Sequence, residues 1–577
     1  MRPPRHYAAF LVVLIIWSLG SLVQQATGQN TASQPPEAAQ QLQAAVQLVN
    51  SGQVEEGIAA LERVTQDFPE FVRGWGTMGN IKQRTQDYDG ALQAFLKASE
   101  ISNAPQFLYS VGLSYAFLDQ DDQAFEWLLK AKETGAVLLN NIDRTPAAAN
   151  IRTDTRYSML FPTEAEYSDP FVEGNRIIQD WYGENIGDTF GWIARNIGDV
   201  DGDGINDVTT SSPGFNNGAG KVFVFSSSTG KQLWSVEGSA PGGRLGHGIE
   251  AAGDVNADGI PDVVAAAPYI NQVNVYSGRD GTELFSLAGR DTTGAFGLSV
   301  KGIGDINGDG HSDILVGEPF QVWGGPFNGG TMEHPGKIHI YSGKDQSELF
   351  TAGGEAPGDG FGSAVSGISH KNGFTFVIGA PAAGSSRIGK AYVFTTTDGP
   401  PTFEMEADSG GASFGSMFLS VVGDLNGDGF QDTYISDWAD NTVAPGSGKV
   451  YLYSGKDGSR MFTLEGTAAG EGFGIGISDA GDVDKDGYDD LVVGGWQNAL
   501  EAPSAGKLYI HSGKDGALLY VITGKVAGET LGYDTTGLGD VDGDGFVDFL
   551  ITSASSAKNG AGSGRTLIIS GKPPSAK

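Results

Sequence analysis

Two hydrophobic rhythms divide this chain of 577 residues. From Glu37 to about Val137, apolar residues recur at three- and four-residue spacing among good helix formers, which predicts amphipathic helices. From about Asn175 onward the apolar positions alternate over short runs, as in Lys449-Val-Tyr-Leu-Tyr453 and Arg460-Met-Phe-Thr-Leu464. Such runs, punctuated by Gly, Asp and Ser, predict strands joined by tight turns. Residues 138–174 follow neither rhythm, contain proline, and read as a linker or packing segment.

The helical part has a period near 34 residues: Gly57, Ala91 and Ala124 share one small-residue position, and Leu61, Phe95 and Leu128 follow one turn later. Gly79 and Gly112 match in the preceding helices, with Trp75 and Tyr115 as bulky partners. Small residues opposite large ones let paired helices approach closely. With Pro69 near a terminating position, residues 37–137 resemble about three tetratricopeptide repeats, the other reading being a generic helical bundle. The resemblance implies a groove for a protein partner.

The strand-rich part, 175–572, holds seven copies of a longer unit. Each begins with Phe-Gly or Leu-Gly: Phe190, Leu245, Phe296, Phe361, Phe414, Phe473 and Leu531, at intervals of 51 to 65 residues. Four short strands per copy, repeated seven times, predict a seven-bladed β-propeller preceded by a small all-α domain. The last copy ends after its third strand, Arg565-Thr-Leu-Ile-Ile-Ser570, and an unpaired strand, Arg176-Ile-Ile-Gln-Asp-Trp-Tyr182, precedes the first. That strand is expected to complete the seventh blade and lock the ring.

Six of the copies carry an acidic loop with the pattern Asp-x-Asp/Asn-x-Asp-Gly-x-x-Asp, starting at Asp199, Asp254, Asp305, Asp424, Asp482 and Asp540. Alternating carboxylates and amides on a tight glycine-bearing turn suit a hard cation with oxygen ligands, above all Ca²⁺. An EF-hand is excluded, since its twelfth-position Glu is replaced by residues such as Thr210, Ala265 and Val316, and the flanks are strands. The Phe-Gly starts, the acidic loops and Gly379-Ala-Pro381 together resemble FG-GAP repeats, the units of the integrin alpha-chain propeller, across residues 175–571. That resemblance implies ligands at loop positions one, three, five and nine and the carbonyl of position seven. The first loop then offers Asp199, Asp201, Asp203, the Ile205 carbonyl and Asp207; the second Asp254, Asn256, Asp258, Ile260 and Asp262. The third offers Asp305, Asn307, Asp309, His311 and Asp313, and the fourth Asp424, Asn426, Asp428, Phe430 and Asp432. The last two offer Asp482, Asp484, Asp486, Tyr488 and Asp490, then Asp540, Asp542, Asp544, Phe546 and Asp548. An Asn at position three removes one charge and weakens its site. In the fourth copy Ser369-His-Lys-Asn-Gly-Phe374 stands where ligands should be, so that blade is expected to hold no metal.

A net charge of −34 disfavours nucleic acid and anionic lipid as partners. The absence of cysteine excludes disulfides, thiolate metal sites and a cysteine nucleophile. Arg2, Arg5 and His6 precede an apolar run from Ala8 to Trp17, with Ala26-Thr-Gly28 as a small-residue cleavage site, so residues 1–28 read as a signal peptide or an uncleaved anchor. Residues 29–36 read as a flexible leader and 573–577 as a tail. Export is expected, to the bacterial surface, periplasm or medium.

The seven histidines (His6, His247, His311, His334, His339, His370 and His511) form no metalloprotease pair or Ser-His-Asp pattern, so no catalytic residue is assigned. The expectation is a calcium-stiffened adhesion or scaffold protein that binds protein partners. The alternative is a lectin-like or polysaccharide-degrading protein, for which Trp181, Trp192, Trp234, Trp323, Trp438 and Trp496 are candidate sugar-stacking residues.

Overall fold

The computed structural model describes residues 35–573 apart from 136–137, 140–141, 144, 146–147, 323–324 and 372. The expected signal segment, most of the expected leader and tail, Trp323 and Asn372 lie outside the described residues. The chain divides into two compact units, Met1–Thr163 and Glu164–Lys577.

Among the described residues the first unit contains six α-helices: α1 (Pro36–Asn50), α2 (Val54–Asp67), α3 (Val72–Arg84), α4 (Tyr88–Ile101), α5 (Pro105–Phe117) and α6 (Asp121–Glu133). They pack as successive antiparallel pairs. The small residues of the period lie where the pairs touch. A Cβ on Gly79 would sit 2.5 Å from Phe95 and one on Gly112 2.7 Å from Leu128, while Ala91 and Ala124 are fully buried. Asp87 caps α4 by accepting from the Gly90 N–H at 2.9 Å. Beyond α6, Leu139, Ile142, Ala148, Ile151 and Leu160 pack on Leu113, Ala116, Phe125 and Leu128. Leu139, Ile142, Ala148, Ile151 and Leu160 thus cover the end of the helical stack, whereas Tyr167 and Phe171, further along, are buried in the second unit.

The second unit is a seven-bladed β-propeller of four-stranded antiparallel sheets. Blade one comprises Ala194–Gly198, Asp207–Ser211, Lys221–Phe225 and Gln232–Glu237, and the later blades repeat that order. First strands of successive blades adjoin around the centre, except that blades five and six meet through Thr433–Asp437 and Phe473–Gly481. Each junction between blades has its own apolar cluster; between blades one and two it contains Val222, Val224, Leu245, Val263 and Trp234. The inner strands of every sheet are therefore covered on both faces, second strands such as Asp262–Ala267 being inaccessible throughout, while outer strands such as Gln232–Glu237 are partly exposed.

The Phe-Gly motif has a mechanical explanation. All seven Phe or Leu side chains are at most 2 % exposed, and the glycines that follow all have positive φ, from 67° at Gly415 to 93° at Gly474. The aromatic plugs the junction while the left-handed glycine turns the chain into the next innermost strand. Ring closure occurs as expected: Ile177–Tyr182 pairs antiparallel with Arg565–Ile569 as the outer strand of blade seven. At that seam Arg565 is fully buried, 2.9 Å from both Asp180 and Glu529, and donates to the Tyr167 carbonyl at 2.8 Å. Among the described residues no helix is long and apolar enough to cross a membrane.

Candidate metal centres

The six acidic loops are the hairpins between first and second strands. Five of the six pairings slip at a strand-end glycine just before the loop, as at Asn196/Gly198 and Gly537/Gly539; the pairing on blade five instead runs in register up to Val421. In blade four, by contrast, pairing runs without a break to His370↔Gly373 and the hairpin has no carboxylate. In the acidic hairpins positions four and six both adopt positive φ, as at Gly202 (84°) and Gly204 (88°). Ala257 and Lys485 take position four in two loops at 60° and 65°, a requirement not visible in the ligand pattern.

This backbone turns its N–H groups onto the carboxylates. Position one accepts from the N–H of position six, at 2.8 Å for Asp199 and 2.7 Å for Asp424. Position three accepts from position five, at 2.9 Å for Asn256, Asn307 and Asn426. Position five accepts from the N–H of position seven, at 2.8 Å for Asp203 and Ile205. Where position three is Asp, three carboxylates of one loop each place an oxygen within 4.8 Å of the others. These are Asp199, Asp201 and Asp203; Asp482, Asp484 and Asp490; and Asp540, Asp542 and Asp544.

Position nine ties each loop to the rest of its blade. Asp207, Asp262, Asp313, Asp432, Asp490 and Asp548 are all fully buried. Each accepts from the N–H of position two, at 2.8 Å for Asp490 and Asp548, and from the turn between the third and fourth strands, or the chain end in blade seven. Burial pushes all six carboxyls up to about 6 despite these bonds. Among the described residues none of the six has an ion-pair partner, so an oxygen-seeking cation fits the donor set by charge and by ligand type.

Cationic side chains also reach the loops. Arg176 pairs with Asp542, Lys514 lies 3.3 Å from Asp486, and Arg279 lies 3.7 Å from Asp258. His311 uses its Nδ1 on the Val255 carbonyl at 2.7 Å, which links the second and third acidic loops.

The opposite face is aromatic. Trp192, His247 and Tyr533 each follow a Phe/Leu-Gly glycine, and Trp438 and Trp496 directly follow second strands. Ring centroids lie 5.5 Å apart for Trp192–His247, 5.2 Å for Trp192–Tyr533 and 5.5 Å for Trp496–Tyr533, forming an arc across blades two, one, seven and six. Burial, reinforced by Arg244, lowers His247 to about 3, so it is neutral at physiological pH. Trp181 and Trp234 pack between blades, Trp181 stacked on Phe225 and Trp234 donating to the Gly278 carbonyl at 2.7 Å, so neither is a sugar platform.

Two charged groups escape sequence reasoning. Arg195 on the first strand of blade one joins Glu250 of blade two and Asp534 of blade seven, and Lys301 of blade three reaches Glu250 at 2.8 Å. His339 lies between Glu318 (3.1 Å) and Glu348 (2.6 Å). Burial lowers its proton affinity, but the two carboxylates outweigh this and hold His339 above its usual value.

A closed ring with buried Phe-Gly plugs and acidic hairpins defines an FG-GAP β-propeller protein. Comparison with known proteins agrees: residues 190–225 match the FG-GAP repeat and 254–316 the FG-GAP-like repeat. More particularly, the propeller is integrin alpha-like. The chain is similar to integrin alpha-4 of Xenopus laevis, 29% identical over 194 residues covering 31% of this chain and 18% of that protein. It is also similar to integrin alpha-2 of Mus musculus, 34% identical over 177 residues covering 26% and 15%. A phosphatidylinositol-glycan-specific phospholipase D of Homo sapiens is 24% identical over 396 residues, covering 57% of this chain and 46% of that one. The chain thus spans under a fifth of these two integrins and about half of the phospholipase.

Proposed function

We propose that this is an exported calcium-binding adhesion or scaffold protein. The reading is carried by the six hairpins, whose carboxylate and amide oxygens are held by backbone N–H groups beside buried position-nine carboxylates that have no ion-pair partner among the described residues. Bound Ca²⁺ would supply positive charge to oxygens that otherwise repel one another. The chain's own part is to hold those oxygens with N–H groups and, through position nine, to couple each hairpin to the outer half of its blade. Occupied hairpins would stiffen the ring, leaving the partly exposed rings of Trp192, His247 and Trp496, seated on the buried Tyr533, as the recognition face.

The helical unit, read as tetratricopeptide-like, adds a second surface for a protein partner. The integrin likeness supports protein recognition over catalysis, and export suits oxygen sites that fill at millimolar Ca²⁺. The test is capture from the surface fraction of the producing cell in millimolar calcium, using the full chain and a Trp192→Ala/Trp496→Ala variant, beside a glycan array. Capture of a defined protein that the variant loses supports the reading. Saturable sugar binding abolished by the same variant replaces it with the lectin-like alternative.

A further inference from the structure

Blade five contains a pair of buried carboxylates that no hairpin explains. Asp437 ends the second strand, Thr433–Asp437, and is fully buried; Asp440 follows in the next turn at 1 % exposure. They lie at the end of that strand remote from Asp432 and the acidic loop.

The equivalent place in blade six shows what is unusual. Asp440 and Asn498 each stand eight residues beyond the position-nine Asp. The Asp440 carbonyl accepts from the Gly448 N–H at 3.1 Å and that of Asn498 from Gly506 at 3.0 Å. Oδ1 of Asp440 accepts from the Thr442 N–H at 2.7 Å, and Oδ1 of Asn498 from Leu500 at 3.1 Å. The remaining atom differs: Nδ2 of Asn498 donates to Glu471 at 2.6 Å, whereas Oδ2 of Asp440 is buried without a hydrogen-bond partner. Blade five thus has an acceptor where blade six has a donor.

The facing group is again a carboxylate. Ala412 replaces Glu471, and Asp437 caps the turn instead, accepting from Ala412 at 3.0 Å and Ser413 at 2.7 Å. Asp437 matches Gly495, where a Cβ would lie 3.0 Å from the Glu471 carboxylate, so its side chain enters the same space. Lys449, the cross-strand partner of Asp437, is taken by Asp408 at 2.9 Å and Glu465 at 3.0 Å. Among the described residues no Lys, Arg or His pairs with Asp437 or Asp440. The Asp408 carbonyl borders the same space, since a Cβ on Gly411 would lie 3.0 Å from Asp437 Oδ2 and 3.1 Å from that carbonyl. Burial, with Asp440 adding repulsion, raises Asp437 to about 7, consistent with a charge the protein leaves uncompensated.

We propose that Asp437 and Asp440 bind a Ca²⁺ ion on blade five, at the end of the second strand remote from the acidic hairpin. Two facing carboxylates buried without a counter-charge are costly, and a divalent cation both neutralises them and gives the unpartnered Oδ2 a bond. The test is calcium content by elemental analysis after chelation and equilibrium dialysis, comparing the full-length protein with Asp440→Asn, which installs the residue blade six already uses. Asp440→Ser, copying Ser556 of blade seven, is the second variant. The expected result is one fewer equivalent of Ca²⁺ per chain in both variants, a difference independent of how many hairpins fill. Equal calcium content in either folded variant overturns the proposal, and a simultaneous rise in Tm above about pH 7 would show that the pair shares a proton instead.

Discussion

The position-nine aspartates do two jobs with two oxygens. In Asp490, Oδ2 fixes the Val483 N–H at 2.8 Å and Oδ1 fixes Gly513 at 3.2 Å, joining the acidic hairpin to the outer turn. Asp490→Ala strands both donors in a buried place and should destabilise the propeller by about 2–4 kcal/mol, read from denaturant unfolding in EGTA. His339 gives a pH dependence of definite sign. Its proton affinity is raised in the fold, so its ion pairs contribute fully below about pH 6.5 and fade as pH rises through the elevated folded value. The Tm gap between the wild type and His339→Gln should accordingly be largest near pH 6 and shrink by pH 8.5, as scanning calorimetry would show.

At the scale of the element, the Phe-Gly corner is the most constrained feature. Gly474 has φ 93°, and a Cβ there would lie 2.8 Å from both Ser436 and Val450. Gly474→Ala combines backbone strain with overpacking and should cost about 2–4 kcal/mol in unfolding free energy. Much of the architecture was legible because it recurs: seven Phe/Leu-Gly corners announce seven blades, and an orphan strand at Ile177 announces closure. What one copy holds alone was not legible. Arg195, Glu250 and Asp534 come from three blades, and the Asp437–Asp440 pair shows only when blade five is laid over blade six. The Arg176–Asp542 pair joins the closing strand to a hairpin more than 360 residues away, a distance that no local pattern reports. The irregular segment after α6 divides its apolar residues between two units, which lack of periodicity could not foretell.

For the whole molecule, two compact units with separate cores predict two calorimetric transitions. EGTA should lower the larger, propeller transition and leave the helical one nearly unmoved; equal shifts would refute the assignment of calcium to the ring. Arg565→Met should act on the ring alone, since it leaves Glu529 and Asp180 without their buried cation, at about 3–5 kcal/mol. The same seam governs the order in which the protein can be made. Ile177–Tyr182 emerges from the ribosome nearly 400 residues before Arg565–Ile569, among the described residues the only strand it pairs with in the sheet. Until Arg565–Ile569 has been made the nascent propeller is an open arc with two raw edges. If the chain is exported as proposed, it would stay unable to complete its fold while it is being threaded, and the last ladder would close on the far side.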